Sequence, residues 1–370
     1  MAVGPMMGVA ALAASEASTL PSALDFSGNL WIGVALKVVA IAAFFLVAPL
    51  VVGYMEHKVM AHQQARFGPM DVGPHGTLQL VADGVKFIQK EAVTPRAADR
   101  WVFGMAPGVS LLAALLVFLV VPLAPGVWAE DLELGLFYVL AASSVGVVGV
   151  LMAGWASANK FSLIGGVRAA AQLIAYELPM VLAAVAVALQ AGTLSLAGIV
   201  EAQAGFMILG TDINLWYVFP QFVGFVIFFM AALAELARPP FDMPIADSEL
   251  VFGYLTEYSG IRFGMFLLSE YAGMVGFSAI MAVLYLGGWQ IAPGVTTPGC
   301  DGITDCNLVG TLLGAGVMLG KIAALSFTMI WVRVTYPRLR EDQLQRLSWL
   351  ALIPLSLALI AAVAVGKVVF

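Results

Sequence analysis

Long apolar runs alternate with short polar stretches along the chain. Because about 20 apolar residues in a helix cross the hydrocarbon core of a bilayer, each run of that length predicts a transmembrane helix. Eight runs qualify, at roughly residues 30–54, 102–123, 135–158, 168–190, 217–237, 263–287, 309–333 and 347–366. They are apolar on every face, unlike helices that lie on a protein surface with one polar side. The pattern predicts an all-α polytopic membrane protein.

The connections between these runs fall into two sets that differ in basic residues. One set holds Lys58, Arg66, Lys86, Lys90, Arg96, Arg100, Lys160, Arg168, Arg238, Arg262, Arg333, Arg338, Arg340 and Arg346. The other set, near residues 124–134, 191–216 and 288–308, has no Lys or Arg and carries acidic residues instead. Since short basic loops stay in the cytoplasm, the first set predicts the cytoplasmic face. Both termini are then extracytoplasmic, with residues 1–29 as an N-terminal segment on that side.

The composition of the 370-residue chain agrees with a membrane location. It is 61% hydrophobic and only 11% charged, with a mean hydropathy of +0.97. A soluble domain needs far more polar surface than this, so a soluble enzyme is excluded. No basic run suggests binding to nucleic acid, and no Gly/Ser-rich linker divides the chain. We expect a single membrane domain over residues 1–370.

Two cytoplasmic connections, 55–101 and 238–262, are long and hold most of the polar residues, so we expect them to be the functional loops. In the first loop, helical spacing puts Leu78, Val81, Val85 and Ile88 on one face and Asp83, Lys86 and Lys90 on another. This spacing predicts an amphipathic helix at the membrane interface.

Three acidic residues, Glu177, Glu235 and Glu270, fall within the apolar runs. A carboxylate that faces lipid costs several kcal/mol, so each must face the protein interior or water. A carboxyl group in such surroundings can exchange protons near neutral pH, and a water-linked row of them forms a proton relay. Fixed polar contacts between helices, with Glu235 paired to Arg238, are the alternative. Four further acids in the adjoining loop favour the relay: Asp242, Asp247, Glu249 and Glu257.

Cys300 and Cys306 are the only cysteines, and they share an extracytoplasmic connection. Because that compartment permits oxidation, we hypothesise a disulfide bond between them. Two cysteines cannot hold an iron–sulfur cluster, and the chain has no glycine fingerprint for a dinucleotide. The spacing of His57, His62 and His75 fits no metal motif. We therefore expect no flavin, iron–sulfur cluster, NADH or metal on this chain.

A series of motifs follows in order between about residues 30 and 350. They are Gly53–Lys58 (GYMEHK), Gln64–Pro69 (QARFGP), Ala82–Lys86 (ADGVK), Lys90–Glu91, Arg168–Gln172 (RAAAQ), Tyr176–Glu177, Ala234–Pro244 (AELARPPFDMP), Ser248–Leu250, Glu257–Gly260, Ser269–Tyr271, Trp331–Arg333 and Tyr336–Arg338. Together they resemble the membrane subunit designated H of the bacterial proton-pumping NADH:quinone oxidoreductase, respiratory complex I. This family is the counterpart of mitochondrial complex I subunit 1.

The resemblance implies a membrane subunit with no redox centre, which forms a quinone chamber with the hydrophilic arm and couples quinone reduction to proton translocation. In this family a partner's iron–sulfur cluster reduces the quinone, so no residue of this chain is expected to be directly catalytic. The motifs assign quinone binding to Glu56, His57, Arg66, Asp83, Lys86, Arg238, Asp242, Asp247 and Glu249. They assign the proton path toward the antiporter-like subunits to Glu177, Glu235, Glu257 and Glu270.

Two motifs depart from the family pattern. His57 stands where many relatives have arginine, so a titratable side chain replaces a permanent cation. Ile245 stands where many have glutamate and cannot carry a proton, and Asp247 replaces a longer acid. The variant resembles that of bacteria that use menaquinone, which favours menaquinone over ubiquinone as the substrate.

The resemblance also implies partners and a location. The partners are the cluster-bearing and quinone-site subunits of the hydrophilic arm, small membrane subunits, antiporter-like subunits and the lipid bilayer, with no nucleic acid. The location is the bacterial cytoplasmic membrane. Two other functions stay open: the homologous membrane subunit of an energy-converting hydrogenase, and a stand-alone proton-coupled transporter. The complete first loop and the motif from Arg238 to Glu257 favour the oxidoreductase.

Overall fold

The computed structural model describes residues 30–204, 207–208, 211–212, 215–293, 295, 298 and 306–369. Its helices are α1 (Leu30–Gln63), α2 (Gln79–Gln89), α3 (Arg100–Phe118), α4 (Gly135–Ala156), α5 (Lys160–Ala191), α6 (Leu196–Ala204), α7 (Phe222–Glu235), α8 (Asp247–Leu250), α9 (Gly260–Tyr285), α10 (Leu308–Thr335), α11 (Glu341–Arg346) and α12 (Ile353–Val369). Short 3₁₀ turns lie at Pro74–Gly76 and Gly253–Leu255, and a π-helical stretch, Leu347–Leu352, joins α11 to α12. The antiparallel strands β1 (Met207–Ile208) and β2 (Thr211–Asp212) have two residues each. The predicted all-α fold is confirmed.

Seven of the described helices are long and apolar enough to cross a membrane, with α11, the π-helical stretch and α12 counted as one. The fifth predicted run, 217–237, forms only the 14-residue helix α7. Pro220 lies just before this helix, and the positive φ of 49° at Ala237 stops it from continuing at the other end. The prediction of about eight spans therefore holds as seven long helices and one shorter apolar helix.

The first helix extends further than its apolar run. Helix α1 continues to Gln63, nine residues past the predicted end at residue 54, because the stretch from 54 to 63 lacks Gly and Pro. The remainder of the first loop contains the predicted amphipathic helix as α2, Gln79–Gln89. Phe87 of α2 packs on Phe263 of α9, with ring centroids 5.6 Å apart. The apolar residues of its outer face, Leu78, Val81, Val85 and Ile88, are exposed in the isolated chain.

Helices α5 and α9 lie at the centre of the bundle. Helix α5 packs against α4, α7 and α12, whereas α9 packs against α1, α3 and α10. Buried aromatic rings lie in the core of the bundle, among them Tyr176, Phe228 and Tyr285. Because lipid is as apolar as these side chains, close packing and internal hydrogen bonds hold such helices together more than escape from water does. Both central helices carry carboxylates of the predicted proton path.

Candidate functional site

Arg238 carries its charge into the interior of the bundle. Helix α7 ends at Glu235, and the chain turns back at Ala237, which has a positive φ. Only 1% of the Arg238 side chain is exposed. Its Nη1 lies 2.5 Å from Oε2 of Glu56 on α1, and its Nη2 lies 2.9 Å from Oε1 of Glu270 on α9. These partners are necessary because an unpaired buried charge costs several kcal/mol.

Glu56 contacts a second arginine as well. Arg333, in the last turn of α10, forms an ion pair with Oε1 of Glu56. The ring of Tyr271 on α9 faces the guanidinium of Arg238 at 4.9 Å. We refer to Glu56, Arg238, Glu270 and Arg333 as the arginine–glutamate cluster. It joins α1, α9, α10 and the loop after α7, and its two cations balance its two anions.

A second group of charges lies nearer to the surface, and we call it the loop cluster. Arg168 of α5 places Nη1 at 2.7 Å from Oε2 of Glu249 and Nε at 3.7 Å from Oε2 of Glu341. Arg338 places Nε at 2.9 Å from Oδ1 of Asp242 and Nη2 at 3.9 Å from Oε1 of Glu249. The loop cluster thus ties the loop after α7 to α5 and to the segment that leads into α11.

Electrostatics within the loop cluster keep Glu249 ionised. The hydrogen bond from Arg168, and then the charge of Arg338, hold the pKa of this carboxyl below its ordinary value. Half of the Glu249 side chain is exposed, so water screens both interactions. The loop cluster is therefore partly open to water at its glutamates, whereas Glu56 and Arg238 of the arginine–glutamate cluster are buried.

Glu177 and Glu235 form no ion pair with a cation among the described residues. The negative charge of Glu177 lies close enough to repel that of Glu235, and Ser144 of α4 lies near the carboxyl group of Glu177. Oε2 of Glu235 makes no hydrogen bond within the described part of the chain. The pairing of Glu235 with Arg238, which the sequence left open, does not form among the described residues, because Arg238 binds Glu56 and Glu270 instead.

A cavity between α3, α4, α5 and α9 is lined by one carboxylate that pairs with an arginine, Glu270, and by one that forms no ion pair among the described residues, Glu235. Its empty volume of about 830 Å³ includes space that is open to the surroundings, and both Glu235 and Glu270 line it. Four polar side chains also line it: Ser110, Ser143, Tyr254 and Ser269. Burial raises the pKa of Tyr254, so its hydroxyl keeps its proton at neutral pH. Water molecules need two to four polar partners, and this lining offers them.

Glu257 lies apart from the other acids of the predicted proton path. Its Oε1 accepts a hydrogen bond of 2.6 Å from Nδ2 of Asn159. The side-chain oxygen of Asn159 accepts from the backbone N–H of Phe161 and caps the first turn of α5. Glu257 is not one of the residues that line the cavity. The structure therefore ties this carboxylate to the beginning of α5.

Three of the predicted quinone-binding residues make only local contacts in the described chain. Nε of Arg66 donates to Oε1 of Gln64 at 2.8 Å, and Lys86 pairs with Asp83 at 2.8 Å. His57 is half-buried on α1, next in sequence to Glu56. The side chain of Asp247 lies outside the described residues. The structure thus groups Glu56 with Arg238 and Asp242 with Glu249, and it leaves the first-loop residues separate from both clusters.

Three of the cations that neutralise the acids were not predicted from the sequence. Arg168, Arg333 and Arg338 stand in the quoted motifs, but their roles became visible only through their contacts. Tyr254 is in none of the quoted motifs, and Tyr271 is in one of them but received no role from the sequence. A rule that each carboxylate of the quoted motifs needs a nearby cation would have pointed to the three arginines.

The remaining sequence predictions concern the two cysteines and the histidines. Cys300 lies outside the described residues, so its bond to Cys306 stays a prediction. Among the described residues, no group of three or more His, Cys, Asp or Glu side chains could hold a metal ion. Nδ1 of His62 lies 2.7 Å from the backbone oxygen of Lys58, which gives this imidazole a local hydrogen bond.

Comparison with known proteins gives a consistent result. A sequence model described as NADH dehydrogenase matches residues 36–364. The NADH-quinone oxidoreductase subunit designated H from Bacillus thuringiensis subsp. konkukian (strain 97-27) is 43% identical over 316 residues, which is 85% of this chain and 88% of that protein. Proteins of the same name from Bacillus cereus (strain AH187) and Bacillus anthracis (strain CDC 684 / NRRL 3495) match with equal identity and coverage. The chain therefore belongs to the NADH dehydrogenase family, and these relatives are H-type subunits of NADH-quinone oxidoreductases.

Proposed function

We propose that this chain is the quinone-site membrane subunit of a proton-pumping NADH:quinone oxidoreductase in a bacterial cytoplasmic membrane. The names and coverage of the relatives support the assignment to this enzyme complex. The chain supplies no redox centre; a cluster-bearing partner in the hydrophilic arm delivers the electrons. Small membrane subunits and antiporter-like subunits complete the complex.

The quinone is the substrate, and two parts of this chain suit its two ends. The exposed apolar face of α2 suits an isoprenoid tail that enters from the bilayer. Polar side chains of α1, the first loop and the loop after α7 suit a polar headgroup: Glu56, His57, Arg66, Asp83, Lys86, Arg238, Asp242, Asp247 and Glu249. We propose menaquinone as the physiological quinone, on the grounds of the variant at His57 and Ile245.

Reduction of the quinone couples to proton movement through charge. Two electrons and two protons convert a quinone to a quinol, so carboxylates near the headgroup experience a change in charge and proton demand. In a low-dielectric interior such a change acts strongly on neighbouring ionisable groups. The loop cluster receives this change first, and the arginine–glutamate cluster passes it to the cavity at Glu270. Glu235 and Glu177 exchange protons there, and Glu257 contributes from the beginning of α5.

The proposal rests on the lining of one cavity, which contains both Glu270, paired to Arg238, and Glu235, which is repelled by the charge of Glu177. The cavity is thus lined both by a carboxylate with a fixed charge, Glu270, and by one that is suited to exchange a proton, Glu235. A stand-alone transporter does not need a partner's electrons. The membrane subunit of a hydrogenase does not need the quinone portal at α2.

Photoaffinity labelling tests the quinone chamber. The assembled complex in native membranes is illuminated with a photoreactive quinone, and labelled peptides are mapped. We expect labels between residues 64 and 99, with excess menaquinone suppressing them and an alkane of matched length leaving them. Labelling that excess quinone does not reduce would contradict the chamber. Absence of NADH-driven quinone reduction by the same membranes would contradict the assignment to this enzyme.

A further inference from the structure

Lys321 is a half-buried cation in the middle of α10 with no acidic partner among the described residues. Its Nζ donates three hydrogen bonds to backbone oxygens, at 2.6 Å to Leu286, 2.8 Å to Gly288 and 2.5 Å to Gln290. All three acceptors lie in the turn directly after α9. The proposed proton path does not include this lysine.

The turn after α9 has a backbone shape that makes its oxygens converge. Gly287 and Gly288 have positive φ values of 69° and 53°. A Cβ atom at Gly287 would lie 2.6 Å from the ring of Trp216, and one at Gly288 would lie 2.7 Å from a methyl group of Val200. Conformation and space therefore both require glycine at these two positions. With these two glycines in place, the carbonyl oxygens of Leu286, Gly288 and Gln290 converge on Nζ of Lys321.

The chemistry of this spot is that of a site for a small monovalent cation. A protonated amine has three N–H donors, and all three are used here, whereas a neutral amine would leave one oxygen without a donor. The face of the Trp216 ring lies 4.3 Å from Nζ and adds a cation–π contact. The end of α9 also carries the negative pole of the helix, which favours a positive charge.

Lys321 lies on the same helix as Arg333 of the arginine–glutamate cluster, and the turn that it binds directly follows the helix of Glu270. Helices α9 and α10 are thus connected directly by Lys321 at one level and, through Glu56 and Arg238, by the cluster at a distant level. Between these two points, Oγ of Ser278 lies 3.1 Å from Oγ of Ser326. Two rigid helices that are linked at three levels keep one axial register.

We propose that Lys321 is a positioning residue, whose three hydrogen bonds fix the register of α10 against α9 and so position Arg333 on Glu56. Removal of Lys321 leaves a carbonyl site of the type that K⁺ or methylammonium occupies. The activity readout below rests on the proposed function, whereas the stability readout does not.

Chemical rescue in the purified complex tests this role. We compare Lys321→Ala with the wild type in nanodiscs, in a buffer whose only cation is N-methylglucamine. We expect at least about a tenfold loss of NADH:quinone reductase activity, as small misplacements at a reaction site cause, together with a lower thermal midpoint. Addition of KCl or methylammonium chloride should restore both quantities to at least half of the wild-type value.

Lys367→Ala is the matched control. Nζ of Lys367 also donates to the end of a helix, at 2.8 Å from the oxygen of Leu189, but this side chain is exposed. We expect nearly wild-type activity and no effect of added K⁺. Rescue of Lys321→Ala by methylammonium but not by K⁺ would indicate a proton carrier and overturn the proposal. Wild-type activity and midpoint in Lys321→Ala without added K⁺ would overturn it as well.

A second pair of variants covers failure of assembly. If Lys321→Ala yields no complex, Lys321→Arg keeps the charge and should assemble, whereas Lys321→Gln, which lacks the charge, should not. Equal yields of these two variants would overturn the proposal. Wild-type complex that is stable but reduces no quinone would contradict the proposed function, and the midpoints of the variants would still test Lys321.

Discussion

The arginine–glutamate cluster and the acid pair Glu177–Glu235 lie in one bundle and hold their carboxylates in opposite ways. Glu56 and Glu270 each form an ion pair with an arginine, whereas Glu235 forms none among the described residues and is repelled by the charge of Glu177. In the sequence only one helical turn separates Glu235 from Arg238. A turn at the end of α7 sends these two neighbours into different surroundings. The first region therefore holds fixed charge, whereas the second is suited to exchange protons.

The largest expected effect is loss of the buried cation itself. Arg238→Met leaves Glu56 and Glu270 without this partner, and removal of one member of a buried ion pair costs about 3–5 kcal/mol. We expect little assembled complex, measured by native electrophoresis and by thermal unfolding. Arg340→Met, which breaks the exposed pair with Asp342, is the control and should leave the thermal midpoint nearly unchanged. Equal assembly of the two variants would refute the view that buried charge is fixed here.

The second largest effect is expected from Glu235, which forms no ion pair among the described residues. Glu235→Gln keeps the size of the side chain but removes its exchangeable proton, so the complex should assemble while quinone reduction and proton pumping fall by about tenfold or more. The measurement is NADH oxidation and acidification in inverted vesicles. Glu130→Gln, at an exposed position, should behave like the wild type. Wild-type turnover of assembled Glu235→Gln would remove this residue from the mechanism.

Asp242→Asn tests the loop cluster, and we expect its effect on quinone reduction to be intermediate in size. It removes the charge that Arg338 contacts at 2.9 Å, so the cluster should pass less of the charge change to the bundle. We expect normal assembly and quinone reduction that is lower by about tenfold, a loss of about 1.4 kcal/mol in transition-state stabilisation. Turnover of the purified complex provides the measurement. A loss of assembly as large as in Arg238→Met would show that Asp242 is structural.

The smallest expected effect is on how the stability of the protein depends on pH through Glu249. The folded pKa of Glu249 lies below its ordinary value of 4.5, so its contribution to stability is present above that value and disappears as the pH falls through the folded pKa. Glu249→Gln should therefore be slightly less stable than wild type at pH 7 and equal to it at strongly acidic pH. Thermal midpoints of both proteins at several pH values test this. A difference that stays constant with pH would contradict the ion pair with Arg168.

Much of this fold was predictable because apolar runs directly reflect the thickness of a bilayer. The seven long helices and the amphipathic helix α2 follow from such patterns. The length of α7 did not, since its end depends on the backbone turn at Ala237, which an apolar run does not encode. In the candidate site, the motifs gave the acids, but the sequence could not show which acid Arg238 would select. That choice depends on the packing of α1 and α9 around the turn.

The shortness of α7 has an electrical consequence. Its 14 residues span only about 21 Å, whereas the hydrocarbon core of a bilayer is about 30 Å thick. If α7 begins at one surface of this core, Arg238 and the loop after it begin inside the core and not at its other surface. The insulating layer is then thinner at this point, so a given membrane voltage falls over a shorter distance. A proton that moves along Glu235 would then do more electrical work per ångström than one that crosses intact lipid.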